Sequence, residues 1–352
     1  MSRHNNIDLL RFLAAALVLL SHCFPLLGRD HEEPIRLFTH LENGGGFAVS
    51  AFFVLSGYLV TGSYVYSRSV IEYLVKRMLR LFPALVVVVL ISIFLLGPAL
   101  TTFSLTDYFH HPHVGNYLTN IYLLVNYQLP GLFTTNPHPY AVNGSLWTLP
   151  IEFLMYLVVA MLGLGKCLKP WSVGVVIALC WIIHFAVLPA YGAERWIFFW
   201  VIQAQDAAKL GAFFFSGGLL YLVRESYRPT ATHVGIALIV LYLGASTIYA
   251  MAAFMAALPL MVMYLAFVPS GRLANFGKHG DFSYGIYIYA FPIQQAVIQI
   301  AGNAISPVSL FALTLFPTLF LAYLSWHLVE HPALKLKTRF TRMFHPNTLV
   351  PS

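Results

Sequence analysis

The feature that most constrains this chain is a series of apolar windows long enough to cross a lipid bilayer. Windows with almost no charged residue recur at about 7–27, 45–64, 82–99, 148–165, 171–189, 207–223, 233–249, 251–268, 283–301 and 307–327. A helix of ~17 residues or more can span the hydrocarbon core. Because 59% of the residues are apolar and only 9% are charged, a soluble globular enzyme is excluded. The predicted fold class is all-α, a polytopic integral membrane protein with about ten transmembrane helices.

The distribution of lysine and arginine predicts that both chain ends face the cytoplasm. Ten spans put the termini on one side, and an N-in, C-in arrangement leaves only Arg29, Arg36 and Arg195 outside, against sixteen Lys and Arg residues inside. Topology therefore explains most of the net charge of +7, and no basic run with interleaved aromatics indicates nucleic acid. We expect one transmembrane domain at 1–335 and a short basic cytoplasmic tail at 336–352.

The longest segment outside the membrane, at about 100–147, carries Asp107 as its one charged residue and is rich in Tyr, Asn, His and Pro. Such a surface suits neutral sugars, which hydrogen-bond through their hydroxyls and stack on rings, but an interfacial aromatic belt has the same composition. His110, His111 and His113 lack helical ligand spacing and an acidic partner, so no metal site is predicted.

Arg11 and His22 are ionisable residues within the first apolar window. Eleven positions at ~100° each leave them ~20° apart around the helix and ~16 Å apart along it. They therefore share one face, with Arg11 near the cytoplasm and His22 near the outside. They are either a snorkelling arginine and an interfacial histidine, or functional groups of a site inside the membrane.

Arg77 and Arg80 are three residues apart on a predicted helix that enters the third window. This spacing puts both guanidinium groups on one face, which suits a phosphate or a pyrophosphate at the cytoplasmic side. Anchoring by the positive-inside rule and contact with lipid headgroups is the alternative.

Ser145 and Glu152 are seven residues apart and face the same way if a helix already begins near Ser145. Glu152 would then be either a structural partner for a cation within the membrane or part of acid–base chemistry with His22. Asp206 and Lys209, at i and i+3, are expected to neutralise each other. Ser56 and Gly57 are small residues that permit close helix packing.

These residues fall within motifs that resemble the acyltransferase family 3, whose members are integral membrane O-acyltransferases of extracytoplasmic carbohydrates. The resemblance extends from Ile7 to about Pro332. Six motifs appear in order: IDLLRFLAAALVLLSH with Arg11 and His22, AFFVLSGYLV, KRMLRLFP with Arg77 and Arg80, SLWTLPIEF, FSYGIYIYAFP and VEHP. The usual histidine of the FSYGIYIYAFP motif is replaced by Ala290, which cannot contribute acid–base chemistry.

The resemblance implies transfer of an acyl group, by default acetyl, from cytoplasmic acyl-CoA to a hydroxyl of an extracytoplasmic glycan or glycolipid. It also implies an essential His22, a supporting Arg11, and Arg77 and Arg80 as groups that hold the acetyl-CoA donor. Residues 1–335 would then be a transmembrane acyltransferase domain, placed in a bacterial inner membrane. The chain ends shortly after the tenth window, so we expect the loops or a separate partner to handle the acceptor.

The working hypothesis gives each candidate residue one role. His22 acts as general base on the acceptor hydroxyl or as a transient acyl carrier, and Glu152 orients it or balances its charge. Ser145 donates a hydrogen bond to the carbonyl oxygen, and Trp147 lines the site. The partners are acyl-CoA, a carbohydrate acceptor and membrane lipids, with no metal and no nucleic acid. The rivals are a transporter or flippase of lipid-linked glycans, and an acyltransferase for a small secondary metabolite.

Overall fold

The protein is described here by a computed structural model, which covers residues 5–192, 197–198, 202–269, 271, 276–278 and 280–344, with the side chains of 198 and 338–344 left out. Within these ranges the chain is almost entirely helical, which confirms the predicted all-α class. One antiparallel pair of two-residue strands joins Ile197–Phe198 (β1) to Ile202–Gln203 (β2). The helices are α1 Ile7–His22, α2 Pro34–Thr39, α3 Gly44–Val65, α4 Val70–Ile91, α5 Gly97–Leu100, α6 Leu105–His110, α7 Pro112–Leu118, α8 Thr148–Leu164, α9 Pro170–Ile182, α10 Leu188–Ala190, α11 Ala204–Leu222, α12 Ala231–Gly244, α13 Ala250–Phe267, α14 Ser283–Ala301, α15 Pro307–Ser325 and α16 His331–Phe344.

Seven helical segments of the described chain are long and apolar enough to cross a membrane. They are Ile7–Leu27, Gly44–Val65, Val70–Leu100, Gly144–Leu164, Pro170–Ala190, Ala250–Phe267 and Pro307–Lys337. The other three predicted windows also lie on helices. Of these, α11 and α14 are long but carry polar side chains, and α12 has only 14 residues. The count of ten and the orientation stay predictions, and Arg3, Arg195 and Arg272, three of the cations behind them, lie outside the described residues.

Three of the long helical segments contain a π-turn that ends two residues before a proline. The turns are Ser92–Leu96, Ile183–Val187 and Trp326–Glu330, and each is followed within two residues by Pro98, Pro189 or Pro332. Proline lacks an N–H and its ring clashes with the carbonyl of the preceding turn, and a wider turn relieves both conflicts. The chain therefore stays helical through the proline. The third turn continues into α16, so helix persists to Phe344, within the segment predicted as a tail.

The centre of the bundle is α3, which packs against α1, α8, α11 and α13. Its closest neighbour is α11, because glycines bring the two backbones together. A Cβ built on Gly57 would lie 1.7 Å from the Phe214 carbonyl oxygen, and one on Gly217 would lie 1.9 Å from that of Val54. The predicted role of Gly57 in close packing is confirmed. At the edge of the bundle, α9 exposes Trp171, Val175, Leu179 and Ile182 along one face, as expected for a helix with a side toward lipid.

Replacing Gly57 with alanine is expected to lower stability by ~1–3 kcal/mol, because the added methyl group meets the backbone of α11 and forces the helices apart. The matched control is Gly174→Ala on α9, where the new Cβ meets no atom within 4 Å. Thermal unfolding of the purified protein in detergent measures both. A Gly57→Ala protein as stable as the Gly174→Ala protein would show that α3 and α11 do not need this contact.

Lys209 does not pair with Asp206 as expected. Its Nζ donates instead to Oε1 of Glu42, 2.6 Å away, in the turn that precedes α3. Asp206 and Lys209 lie on one helix, as their spacing predicted. The carboxylate that pairs with Lys209, however, is that of Glu42, from a different part of the chain. The ion pair therefore joins the beginning of α3 to α11.

Candidate functional site

Four ionisable side chains from separate elements meet in one buried ionic network. Asp281, in the loop before α14, accepts hydrogen bonds through the same oxygen from Arg11 of α1 and from Arg80 of α4, the latter at 2.6 Å. Arg80 also donates to Glu330 in the third π-turn, at 3.0 Å. These side chains are 2 to 19% exposed. The network fixes the Arg11 end of α1 against α4, α14 and α15.

Asp281 is held in its ionised form. Its other oxygen accepts from the backbone N–H and the hydroxyl of Ser283, the first residue of α14. Burial alone would raise the pKa of Asp281, but the guanidinium groups of Arg11 and Arg80 and the bonds from Ser283 hold it well below its usual value. The carboxylate thus compensates two arginines and caps a helix N-terminus.

Two residues of the π-turn Trp326–Glu330 lie beside the Arg80 guanidinium. Glu330 is 1% exposed and accepts from Ser325 at 3.0 Å as well as from Arg80. The Trp326 ring lies 6.0 Å from the Arg80 guanidinium carbon, and the Tyr284 ring lies 5.6 Å from it. With aromatic and carboxylate partners on several sides, the Arg80 guanidinium is already satisfied in this structure.

Arg77 has fewer partners than Arg80. One guanidinium nitrogen donates to Ser63 at 3.2 Å, and the group lies 5.8 Å from the Tyr156 ring. Its Nε is buried and has no hydrogen-bond partner among the described residues. The pair does not form the symmetric phosphate clamp that its spacing suggested. Arg80 is engaged with carboxylates, whereas Arg77 has no carboxylate partner among the described residues.

Glu152 lies near Arg77 and is held by two hydroxyl groups. Its Oε1 accepts from Ser56 of α3 at 2.9 Å and from Tyr156, one turn further along α8, at 2.5 Å. Ser56 therefore hydrogen-bonds a buried carboxylate and is more than the small packing residue that was expected. The hydrogen bonds of Glu152 connect it to α3 and not to His22.

A cavity of about 360 Å³ opens beside these groups, and we call it the arginine cavity. Four of the predicted site residues line it together, namely Arg11, Arg77, Arg80 and Glu152. Its apolar wall comes mainly from α3, and Tyr287 of α14 closes one side through a 2.7 Å hydrogen bond with Thr148. The cavity combines cationic donors with an apolar lining, which suits an anionic ligand that carries an apolar arm.

His22 lies at the other end of α1 and does not line the arginine cavity. Gln294 of α14 fixes this end of the helix, because its amide donates to the Leu19 carbonyl at 2.7 Å. The His22 ring stands edge-on to Phe291, with centroids 5.4 Å apart, and His138 lies 6.1 Å from the same ring. The Nδ1 of His22 is buried and has no hydrogen-bond partner among the described residues.

Ser145 belongs to a 3₁₀ turn, Gly144–Trp147, and α8 begins only at Thr148. A helical segment does begin near Ser145, but its first turn is 3₁₀, so a uniform 100° per residue does not give the face of Ser145 relative to Glu152. Gly144 packs onto Phe291, since a Cβ there would lie 2.4 Å from that ring, and this brings the turn close to the His22 end. The Ser145 hydroxyl is buried without a partner in the described part of the chain. Trp147 packs against the hydrophobic core and does not line the arginine cavity.

Two helices and the segment that leads into α8 connect the arginine cavity to His22. On α1 the connected residues are Arg11 and His22. On α14, Tyr284 and Tyr287 line the cavity, and Phe291 contacts His22 one turn later. The segment that leads into α8 extends from Gly144, on Phe291, to Thr148 and Glu152 in the cavity wall. The same elements therefore carry both the wall of the arginine cavity and the contacts of His22, which lies ~16 Å from Arg11 along α1.

Sequence reasoning missed the carboxylate at the centre of the network. Asp281 lies in a short loop without helical periodicity, and its one local signal is its position before a serine that begins a helix. Glu330 was noticed only within VEHP. At the position where the family usually has histidine, Ala290 is 1% exposed and packs in a cluster with Ala15 and Leu19 of α1. No group of three or more metal-ligating side chains occurs within the described ranges.

The helical bundle, its membrane-spanning segments and the cavity define an integral membrane protein with a buried, arginine-lined site. The profile of a family described as an acyltransferase domain matches residues 4–327, and the chain belongs to this family, acyltransferase family 3. It is similar to an O-acetyl transferase of Shigella phage Sf6, at 32% identity over 347 residues that cover 94% of this chain and 96% of the relative. It is also similar to nodulation protein 10 of Rhizobium leguminosarum bv. viciae, at 30% identity over 377 residues that cover 95% of this chain and 94% of the relative. No solved structure matches the chain.

Proposed function

We propose that the protein transfers an acyl group, acetyl by default, from cytoplasmic acyl-CoA to a hydroxyl of an extracytoplasmic glycan or glycolipid. The observation that carries the proposal is that the same elements form the wall of the arginine cavity at one end of α1 and contact His22 at the other end. A cationic cavity suits a donor rich in phosphate, and an imidazole suits the activation of a hydroxyl. The phage O-acetyl transferase supports the acetyl group.

The donor side depends on Arg77. It lines the cavity and has no carboxylate partner among the described residues, which suits a phosphate oxygen, while Arg11 and Arg80 keep their carboxylate partners and shape the wall. Glu152 is placed by Ser56 and Tyr156 to balance the charge of this wall. The apolar lining then accepts the pantetheine arm, which points the thioester toward Tyr287 and His22.

At the other end, His22 acts on the acceptor. As general base it takes the proton of the acceptor hydroxyl, whose oxygen attacks the thioester carbonyl; the C–S bond breaks and the CoA thiolate leaves. As acyl carrier, the imidazole attacks the thioester first, its C–S bond breaks and the CoA thiolate leaves; the acceptor oxygen then attacks the acyl-imidazole, and the released imidazole takes the hydroxyl proton. In either route Ser145, on the 3₁₀ turn beside Phe291, donates to the carbonyl oxygen, and Trp147 shapes the acceptor side.

The proposal includes ten spans with both termini in the cytoplasm, in a bacterial inner membrane. Arg11, Arg77 and Arg80 then lie at the cytoplasmic side, where acyl-CoA is made, and His22 lies at the side where glycans are presented. This orientation agrees with the excess of Lys and Arg in the cytoplasmic segments. The basic residues from 336 onward belong to the same side and meet the headgroups of membrane lipids.

The test measures transfer of radiolabelled acetyl from acetyl-CoA to envelope glycan in membranes that contain equal amounts of each variant. Arg77→Gln is expected to raise the KM for acetyl-CoA about tenfold with a smaller change in kcat, because a charge-assisted hydrogen bond to the donor is lost. The matched control is Lys76→Gln. Lys76 pairs with Glu72 at 2.7 Å and does not line the cavity, so this variant should keep the wild-type KM.

Two outcomes would contradict the proposal. Unchanged donor KM in Arg77→Gln would show that this arginine does not hold acyl-CoA. Glycan that crosses the membrane without any label from acetyl-CoA would favour a transporter or flippase. Label found only in a small secreted metabolite would support acyl transfer and contradict the proposed glycan acceptor.

A further inference from the structure

A second cavity, of about 490 Å³, lies next to the arginine cavity along an adjoining face of α3, and we call it the tyrosine cavity. Leu59 of α3 lines both cavities, so one side chain separates them. Asp8 lines the tyrosine cavity and lies within electrostatic range of Arg11, Arg80 and Asp281. The two cavities are therefore neighbours at the same end of the bundle.

The arginine cavity alone is a poor match for a whole acyl-CoA molecule. Coenzyme A carries a diphosphate and a separate 3′-phosphate on its adenosine, in addition to the pantetheine arm. Of the three arginines in that cavity, Arg11 and Arg80 are already paired with carboxylates, which leaves Arg77 for the donor. The 3′-phosphoadenosine end therefore needs a second binding site, with cations for its phosphate and aromatic side chains for its purine ring.

The tyrosine cavity provides both features. Arg224 is held with its guanidinium 4.1 Å from the Tyr221 ring, and it donates to the Tyr221 carbonyl at 2.9 Å. Arg228 is exposed, and its Nε donates to the Arg224 carbonyl at 3.2 Å, which leaves the outer guanidinium nitrogens to face the cavity mouth. Tyr66, at the end of α3, is 65% exposed, and Tyr227 is half-buried. Guanidinium groups bind phosphate, and tyrosine rings stack on purines.

Two carboxylates also face this cavity and set its charge. Glu225 lies 3.3 Å from Arg224, but its side chain is 79% exposed and can turn into solvent. Asp8 lies at the inner side, toward Arg11 and Asp281. The cationic part of the cavity is therefore its outer edge, at Arg224 and Arg228, and a phosphate would bind there.

We infer that the tyrosine cavity holds the 3′-phosphoadenosine end of acyl-CoA, with the 3′-phosphate on Arg228 and Arg224 and the adenine against Tyr66 and Tyr227. The pantetheine arm passes Leu59 into the arginine cavity. This inference rests on the proposed acyl-CoA donor. It extends the donor site from one cavity to two, which meet at Leu59 of α3.

The test compares acetyl-CoA with acetyl-3′-dephospho-CoA as donors for the full-length protein in phosphatidylcholine nanodiscs. The wild-type protein should show a KM roughly tenfold lower for acetyl-CoA, because the 3′-phosphate adds charge-assisted hydrogen bonds. Arg228→Gln should raise the KM for acetyl-CoA to that of the dephosphorylated donor. Lys166→Gln removes an exposed cation of the turn between α8 and α9, which lines neither cavity, and should keep the wild-type ratio.

A second variant tests the adenine contact separately from the phosphate contact. Tyr66→Ala should raise the KM for both nucleotide-containing donors and leave that for S-acetyl-pantetheine unchanged. A variant that merely misfolds would lose transfer from all three donors alike, so the donor comparison separates recognition from damage.

Three results would overturn the inference. In the first, the wild-type protein has the same KM for both CoA donors. In the second, Arg228→Gln raises both KM values by the same factor. In the third, added phosphatidylglycerol competes with acetyl-CoA in the wild-type protein and Arg228→Gln abolishes only that competition, which would make the cavity a site for an anionic lipid headgroup. Absence of transfer from any CoA donor to the wild-type acceptor would instead contradict the proposed function itself.

Discussion

Replacement of His22 by alanine is expected to reduce acyl transfer by ~10²- to 10⁴-fold, because both proposed routes need an imidazole where the acceptor hydroxyl meets the thioester. The measurement is the initial rate of acetyl transfer to glycan, at equal protein amounts and saturating acetyl-CoA. The KM for the donor should change little, since His22 lies outside the arginine cavity. A residual rate above about one tenth of the wild-type rate would be too high for a residue that activates the hydroxyl.

The chain offers a close control in His184. It lies in the π-turn of the α9 segment and, like His22, has a buried Nδ1 without a hydrogen-bond partner among the described residues. It lines neither the arginine cavity nor the tyrosine cavity. His184→Ala should therefore keep the transfer rate. A single turnover with labelled acetyl-CoA and no acceptor separates the two routes, because label that stays on the wild-type protein and is absent from His22→Ala identifies an acyl carrier.

Replacement of Asp281 by asparagine is expected to have the largest effect on stability, about 3–5 kcal/mol, because it leaves two buried guanidinium groups facing each other without the carboxylate between them. Arg80 keeps Glu330, but Arg11 loses the partner that the structure gives it. We expect a clear fall in Tm in detergent and loss of acetyl transfer in membranes. The exposed Asp30→Asn removes the same charge from a surface turn and should leave both unchanged.

A double variant shows whether charge compensation is the cause. Removing one of the two arginines together with the carboxylate, in Arg11→Gln/Asp281→Asn, should recover part of the lost Tm, because fewer uncompensated charges remain buried. Transfer should stay low, since the wall of the arginine cavity is still altered. A double variant no more stable than Asp281→Asn would show that uncompensated buried charge is not the cause of the lost stability.

Apolar length was enough to predict the long helices of the bundle, and helical periodicity predicted that Arg77 and Arg80 line the same cavity. Both are local properties of the chain, which is why every predicted window lies on a helix and why Arg11 and His22 occupy opposite ends of α1. The 3₁₀ turn before α8 and the π-turn before Pro332 change the local geometry without interrupting the apolar pattern. The face of Ser145 and the position of Glu330 could therefore not be predicted from a uniform 100° per residue.

The partners of the charged residues were harder to predict, because they come from distant segments. Arg80 and Asp281 are 201 residues apart, and Lys209 and Glu42 are 167 apart. In neither pair does the spacing along the sequence indicate that the two residues are partners. Residues that pair within one helix are visible in a sequence, whereas a network built from four elements depends on how those elements pack.

Arg11, Arg80, Asp281 and Glu330 contribute two positive and two negative formal charges. A single elementary charge that moves across a membrane gains or loses ~2.3 kcal/mol per 100 mV of transmembrane voltage. Because the four side chains carry no net charge together, a concerted shift of the whole cluster does no electrical work. A transmembrane voltage would therefore neither drive nor resist such a shift of these four side chains.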